Sequence, residues 1–111
     1  MPLNPDFKAQ WVAALRSGEY PQARGMLFDG TGYCCLGVAC KILGATFVKD
    51  GLGWLPKFNG DEVPKPNQFL LPTTIAKDVG LSGGMQTTLA KMNDKDGKDF
   101  NQIADFIESN Y

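Results

Sequence analysis

Apolar residues near the start of the chain recur at the spacing of one helical face. Phe7, Trp11 and Leu15 recur at every fourth position, which places them on the same side of an α-helix. Asn4-Pro5 supplies a favourable cap followed by proline at the first helical position. The pattern therefore predicts an amphipathic helix over residues 5–17, ended by the glycine that follows.

The next apolar residues are interrupted by glycines and by Tyr20-Pro21, which breaks the helical spacing. Residues 22–36 contain two short apolar runs around Asp29-Gly30-Thr31-Gly32. Because Asp-Gly between apolar β-formers is typical of a tight turn between paired strands, this segment predicts a β-hairpin.

Residues 35–43 are apolar almost all round, and Lys41 is the single charge among them. Such a segment is buried whichever structure it adopts. The spacing favours a short central helix ended by Gly44. A strand stays open as the alternative, since Gly37 lowers the helix propensity.

Residues 45–48 and 53–56 predict two further short strands. The segment that follows, 57–68, contains two prolines and an Asn-Gly pair and is the most loop-like part of the chain. We therefore expect a mobile or binding loop there.

The last third of the chain predicts three helices, over residues 73–79, 86–93 and 99–110. The third begins with Asp99 and has Gln102 three positions later, which is a capping box. Gly80-Leu81-Ser82-Gly83-Gly84 is expected to be a linker with Ser82-Gly83-Gly84 as its flexible part, and anion binding by its backbone amides is the alternative. Together these elements predict an α+β fold in one domain spanning residues 1–111.

Composition and charge exclude several classes of function. Eleven basic and twelve acidic residues give the 111-residue chain a net charge of −1, and no basic run is present to neutralise phosphates, so we expect no nucleic-acid partner. No apolar stretch approaches the roughly 20 residues that span a bilayer, and the first residues do not resemble a signal peptide. Three cysteines favour a reducing cytoplasm. We expect no membrane association.

Histidine is absent from the sequence, which removes the commonest general base and the commonest ligand of zinc. Cys34 at a helix N-terminus could be a nucleophile, but a buried small apolar residue is the better interpretation. Residues 94–99 resemble a calcium loop, yet Met92 and Ile103 occupy positions where carboxylates belong. The sequence thus predicts no catalytic residue, no metal site and no cofactor.

Two sets of residues are candidates for binding. Arginines beside aromatic residues suit an anionic nucleotide-like ligand, and the first set is Arg16, Tyr20, Gln22, Arg24 and Tyr33. Exposed aromatic residues around the long loop suit a protein partner, and the second set is Trp54, Phe58 and Phe69.

Three stretches carry a resemblance to known proteins. They are Trp11 to Tyr20 (WVAALRSGEY), Tyr33 to Val38 (YCCLGV), and Leu89 to Asp94 (LAKMND) with Phe100 and Ile103-Ala104 after it. Together they resemble a family of small uncharacterised proteins encoded by bacteriophages and prophages. The resemblance implies a setting, in which small phage proteins act on host machinery, and it supplies no catalytic residues.

The leading hypothesis from the sequence is a non-enzymatic binding protein of phage type in the host cytosol. It would block a host protein or sequester a small anionic ligand, as a counter-defence or host-takeover factor. The alternatives are a small cysteine-dependent enzyme using Cys34 and a structural or virion-associated module. Whether the chain forms a homo-oligomer stays open.

Overall fold

The computed structural model describes residues 3–51, 53–58 and 67–111. Five helices and two strands follow one another along this part of the chain. They are α1 (Pro5–Arg16), α2 (Cys35–Ile42), β1 (Ala45–Asp50), β2 (Gly53–Phe58), α3 (Thr73–Val79), α4 (Gly83–Asp94) and α5 (Phe100–Asn110). The predicted α+β class is confirmed.

Helix α1 begins as its sequence predicts. The Asn4 side chain accepts a hydrogen bond from the Phe7 backbone N–H at 3.0 Å, which satisfies one of the free donors of the first turn. Phe7, Trp11 and Leu15 are buried, and Trp11 also donates its indole N–H to the Cys35 carbonyl at 2.9 Å. That bond joins α1 to the start of α2.

Helix α2 is the centre of the domain, and the alternative of a strand at 35–43 is wrong. Its first six residues, Cys35–Cys40, are all buried, as the apolar pattern predicts. Gly37 is required for packing, because a Cβ atom there would lie 1.9 Å from the Leu27 carbonyl oxygen. The residue that weakens the helix in isolation therefore allows the helix to approach the preceding loop closely.

The hairpin predicted over residues 22–36 is wrong, although its turn is present. The backbone N–H of Asp29 donates to the Gly32 carbonyl, but only isolated bridges join Tyr33 to Gln22 and to Phe28. Leu27 donates its N–H to the Gln68 carbonyl at 2.7 Å instead of to the opposite arm of the segment. The segment is instead a folded loop with Tyr33 between its two arms.

The β-hairpin of the described chain lies further on. β1 and β2 are antiparallel, with Phe47 opposite Pro56 and Lys49 opposite Trp54, so both predicted strands are confirmed and each is longer than expected. Phe58, assigned to the loop over 57–68, ends β2 instead. Residues 59–66 of that predicted loop lie outside the described residues.

The three predicted C-terminal helices are present, and the main difference is that α4 begins three residues earlier than predicted. Ser82-Gly83-Gly84 is not a linker: Ser82 caps α4, and both glycines are in its first turn. The capping box of Asp99 and Gln102 at the start of α5 is present. Helix α1 packs against α5 and α2, and α4 packs against both α2 and α5, so the buried residues form one core within a radius of gyration of 12.7 Å.

Candidate functional site

Five aromatic side chains form a continuous surface where the loop before α2 meets the β-hairpin. Each is partly exposed, and neighbouring rings have centroids 4.8 to 6.0 Å apart. Phe28 is the central ring, in contact with three others. We call this set the aromatic cluster; its members are Tyr20, Phe28, Tyr33, Phe47 and Trp54.

The folded loop and the hairpin position these rings from two sides. Tyr33 is held by backbone hydrogen bonds, donating to Pro21 and accepting from Ala23, both at 2.8 Å. Phe47 and Trp54 come from opposite strands. Phe47 and Lys49 are two positions apart and so lie on the same face of the hairpin, and Trp54 is the cross-strand partner of Lys49 on that face. The cluster is therefore fixed by backbone structure on both sides.

The aromatic cluster also carries polar groups at its rim. The hydroxyls of Tyr20 and Tyr33 and the indole N–H of Trp54 make no hydrogen bond with the described residues, and none of the three is a buried unsatisfied atom. Burial, together with the nearby Tyr20, raises the pKa of Tyr33 above its ordinary value. The ammonium of Lys49 lies 5.3 Å from the Trp54 ring, a cation–π contact.

A buried polar network fixes the loop arm that carries the cluster. Asn93 is fully buried; its amide donates to the Ala23 carbonyl at 2.8 Å and its oxygen accepts from Gln22 at 2.9 Å. The Asp94 carboxylate accepts from the Gly25 backbone N–H at 2.9 Å. Helix α4 thus holds residues 22–25 through the two side chains at its C-terminal end.

The predicted ligand-binding set is divided by the structure. Tyr20 and Tyr33 meet edge to face at 5.6 Å, and Gln22 lies nearby in the polar network. Arg16 is bound elsewhere, because its guanidinium pairs with Asp105 at 2.9 Å and with Glu108 on α5. Hydrogen bonds to these two carboxylates raise the pKa of Arg16.

Arg24 is exposed and forms no ion pair with the residues described here. The Gln22 side chain is already hydrogen-bonded within the fold, since its amide donates to the Asn93 side chain and to the Lys98 carbonyl, the latter at 2.8 Å. Of the five residues, the two tyrosines and Arg24 therefore retain groups that a ligand could contact.

The predicted protein-binding set is divided as well. Trp54 belongs to the aromatic cluster, whereas Phe58 is 5% exposed and belongs to the core, so it cannot contribute to an exposed patch. Phe69 is 56% exposed. The Asn67 side chain accepts hydrogen bonds from the Phe69 and Leu70 backbone N–H groups, which fixes the turn that presents the Phe69 ring.

The cysteines are buried thiols. Cys34 is 3% exposed, and burial raises its pKa to about 12, so it is protonated at neutral pH. Burial also raises the pKa of Cys35 and of Cys40, and the Cys35 thiol donates to the Leu89 carbonyl at 3.6 Å. The geometry therefore does not favour a nucleophile at Cys34.

The segment between α4 and α5 is a structural turn. Gly97 has a φ of +69°, and Asp99 caps α5, as the sequence predicts. Asp94 is engaged with Gly25, and Asp96 lies 3.7 Å from Lys91. Within the described residues, no three carboxylates, thiols or imidazoles are gathered to hold a metal ion.

Sequence reasoning missed Phe28 and Phe47 as members of the surface, and Asn93 as the residue that fixes the loop. The two phenylalanines belong to segments with an apolar pattern, but a pattern does not say which rings from separate segments meet. Asn93 could have been recognised from the sequence, because it is a polar residue on the side of α4 that carries the apolar residues Leu89 and Met92.

These features define the class: a small α+β domain with one core and a partly exposed aromatic surface held by a buried amide network. The chain belongs to the family described as a domain of unknown function, DUF8296, whose model matches residues 3–82. All five residues of the aromatic cluster lie within that range. No curated protein and no solved structure matches the chain. None of the described helices has the length and apolar character needed to cross a membrane.

Proposed function

We propose that this protein is a non-enzymatic binding protein that acts in the cytosol by occupying a surface of another protein. The aromatic cluster is the contact surface. The observation that carries the proposal is that five partly exposed rings lie together, with two hydroxyls and one indole N–H directed to no described residue. Large aromatic residues with polar groups are the residue types that dominate the energetics of protein interfaces.

The packing of the rings favours a protein partner over a stacked nucleotide. Phe28 contacts Tyr33, Phe47 and Trp54, so the rings already cover much of one another. Lys49 lies over the Trp54 ring, and a Cβ at Gly30 would lie 3.3 Å from its indole nitrogen. A base needs a free ring face, whereas a protein can contact ring edges and polar groups.

Charge supports the same choice. The anionic ligand hypothesis depended on two arginines, and Arg16 is neutralised by Asp105 and Glu108. The buried thiol of Cys34 argues against the cysteine-dependent enzyme. The resemblance of three stretches to phage and prophage proteins supports a host protein as the target, so that the protein would act as a counter-defence or host-takeover factor.

Site-specific photo-crosslinking tests the proposal. A benzophenone amino acid replaces Tyr20 in one variant and Asp6 in the control variant; both positions tolerate a large side chain, Asp6 being exposed. Asp6 lies in the first turn of α1 and takes no part in the ring contacts that form the cluster. Each variant is expressed in bacterial cells and irradiated, and the covalent products are identified by mass spectrometry.

We expect one defined protein adduct from the Tyr20 position and none from the Asp6 position. Equal labelling from both positions, or none from either, would contradict the proposal. Native mass spectrometry of the unmodified chain, of mass 12.1 kDa, distinguishes binding of a protein from binding of a nucleotide. A co-purifying nucleotide that is lost in Arg24→Ala would support the ligand-sequestering hypothesis instead.

A further inference from the structure

The two edges of the β-hairpin differ in their ability to accept another strand. Pro56 lies in β2 and has no N–H to donate. A proline protects an edge strand from pairing. Strand β1 contains no proline.

The register defines which groups β1 presents outward. Asp50 and Gly53 flank a two-residue connection and are opposite each other, so they form the hydrogen-bonded pair that closes the hairpin. Hydrogen-bonded and non-hydrogen-bonded pairs alternate along an antiparallel ladder. The backbone N–H and C=O of Val48 therefore face β2, whereas those of Phe47 and Lys49 face the outer edge of the hairpin. No described residue outside the hairpin makes a backbone hydrogen bond with residues 45–50.

The side chains on this edge fit a second copy of the same strand. In an antiparallel pair with Val48 on the two-fold axis, Phe47 is opposite Lys49 of the second copy, and these are the two residues with outward backbone groups. Val48, 46% exposed, then meets Val48 of the second copy. Thr46 is opposite Asp50 of the second copy, where a hydroxyl can donate to a carboxylate.

We infer that two copies of this chain pair through the outer edges of β1 to form a four-stranded antiparallel sheet. The inference does not rest on the proposed function, because it is argued from the backbone groups of the β1 edge and from Val48. It has one consequence for that surface. Phe47 and Lys49 of each copy would be adjacent across the axis, so the two aromatic clusters would lie side by side.

Sedimentation equilibrium of the unmodified full chain, over a range of concentrations, measures the association. We expect a reversible monomer–dimer equilibrium, because one short edge buries less surface than a stable interface. Val48→Lys places two ammonium groups opposite each other on the axis and is expected to weaken dimerisation roughly tenfold or more. Thr88→Lys, an equal charge change at an exposed position on α4, is the control and should dimerise like the wild type.

Charge exchange makes the test specific to the axis. Val48→Glu alone is also expected to be monomeric, and an equimolar mixture of Val48→Lys and Val48→Glu should recover dimers that contain one of each. Circular dichroism confirms that both variants are folded. A wild type that stays monomeric at its highest soluble concentration would overturn the inference, as would a dimer that Val48→Lys leaves intact or a mixture that does not recover.

Discussion

The two tryptophans of this chain have the same side chain in opposite environments. Trp11 is fully buried, stacks on Phe7 at 5.3 Å and donates its indole N–H to Cys35. Trp54 is partly exposed, and its indole N–H has no partner among the described residues. A buried indole needs an internal acceptor because an unsatisfied donor is costly, whereas an exposed one can be left for water or for a partner.

The same contrast extends to their surroundings. Around Trp11 lie the core contacts of α2, where Gly37 meets Leu27 and the Cys35 N–H donates to Asn93 at 3.3 Å. Around Trp54 lie rings that contact one another and a lysine that is held by a cation–π contact. We expect the first region to contribute more to the stability of the fold and the second, in our proposal, to contribute more to binding.

The largest effect is expected at Gly37. Gly37→Ala places a methyl group against the Leu27 carbonyl, which is backbone and cannot move without disrupting the loop. We expect a loss of about 3 kcal/mol or more in the free energy of unfolding, measured by urea denaturation. Gly83→Ala is the matched control, because a Cβ there meets nothing within 4 Å, and it should be neutral or stabilising by up to about 1 kcal/mol. Equal costs would show that the close approach is unimportant.

Exchanging each tryptophan for phenylalanine tests the comparison directly. Trp11→Phe leaves a gap and removes the hydrogen bond to the Cys35 carbonyl, so we expect a loss of about 2–3 kcal/mol in unfolding free energy. Trp54→Phe keeps an aromatic ring in the cluster and should cost less than about 1 kcal/mol. Each variant retains one tryptophan, and acrylamide should quench the fluorescence of Trp54 but not that of Trp11. A reversed order of stability would break the comparison.

Alkaline pH is expected to destabilise the buried region selectively. The thiol of Cys34 has an ordinary pKa of 9.0 that burial raises to about 12; in this window the unfolded chain loses the proton while the folded chain keeps it. Stability therefore falls as pH rises from about 9 to 12, by up to about 1.4 kcal/mol per pH unit for each such thiol. Urea denaturation at several pH values measures the slope, which Cys34→Ala should reduce. A slope that Cys34→Ala leaves unchanged would contradict this cause.

The sequence predicts the buried region better than the surface, for a physical reason. Burial of α1 and α2 follows from the spacing of apolar residues, and the capping box of α5 follows from two residues three positions apart, so these predictions depend on local chemistry. Trp11, Cys35, Gly37 and Asn93 all have roles in the core, and all four lie in stretches that the sequence analysis singled out.

The aromatic cluster could not be predicted in the same way. It joins Tyr20 and Tyr33 from one segment to Trp54 from another, and the hairpin prediction for 22–36 gave those segments the wrong partners. The Asp29-Gly30 pair predicted a hairpin and does form a turn. The flanking strands are nevertheless absent, and Leu27 is hydrogen-bonded to Gln68. Long-range hydrogen bonds of this kind have no periodicity in the sequence.

The smallest change is expected at Tyr20, where a single hydroxyl separates stability from binding. Tyr20→Phe keeps the ring against Tyr33 and removes a group that no described residue binds, so the free energy of unfolding should change by less than about 0.5 kcal/mol. If the hydroxyl hydrogen-bonds to the proposed partner, the loss of about 1 kcal/mol weakens binding roughly fivefold. Titration of the crosslinked protein, once purified, against wild type and variant measures both affinities.

Tyr111→Phe, outside the cluster and against Phe106, is the control and should bind like the wild type. Equal affinities for Tyr20→Phe and the wild type would remove this hydroxyl from the contact surface, and a marked loss of stability would place Tyr20 with Trp11 among the residues that build the fold.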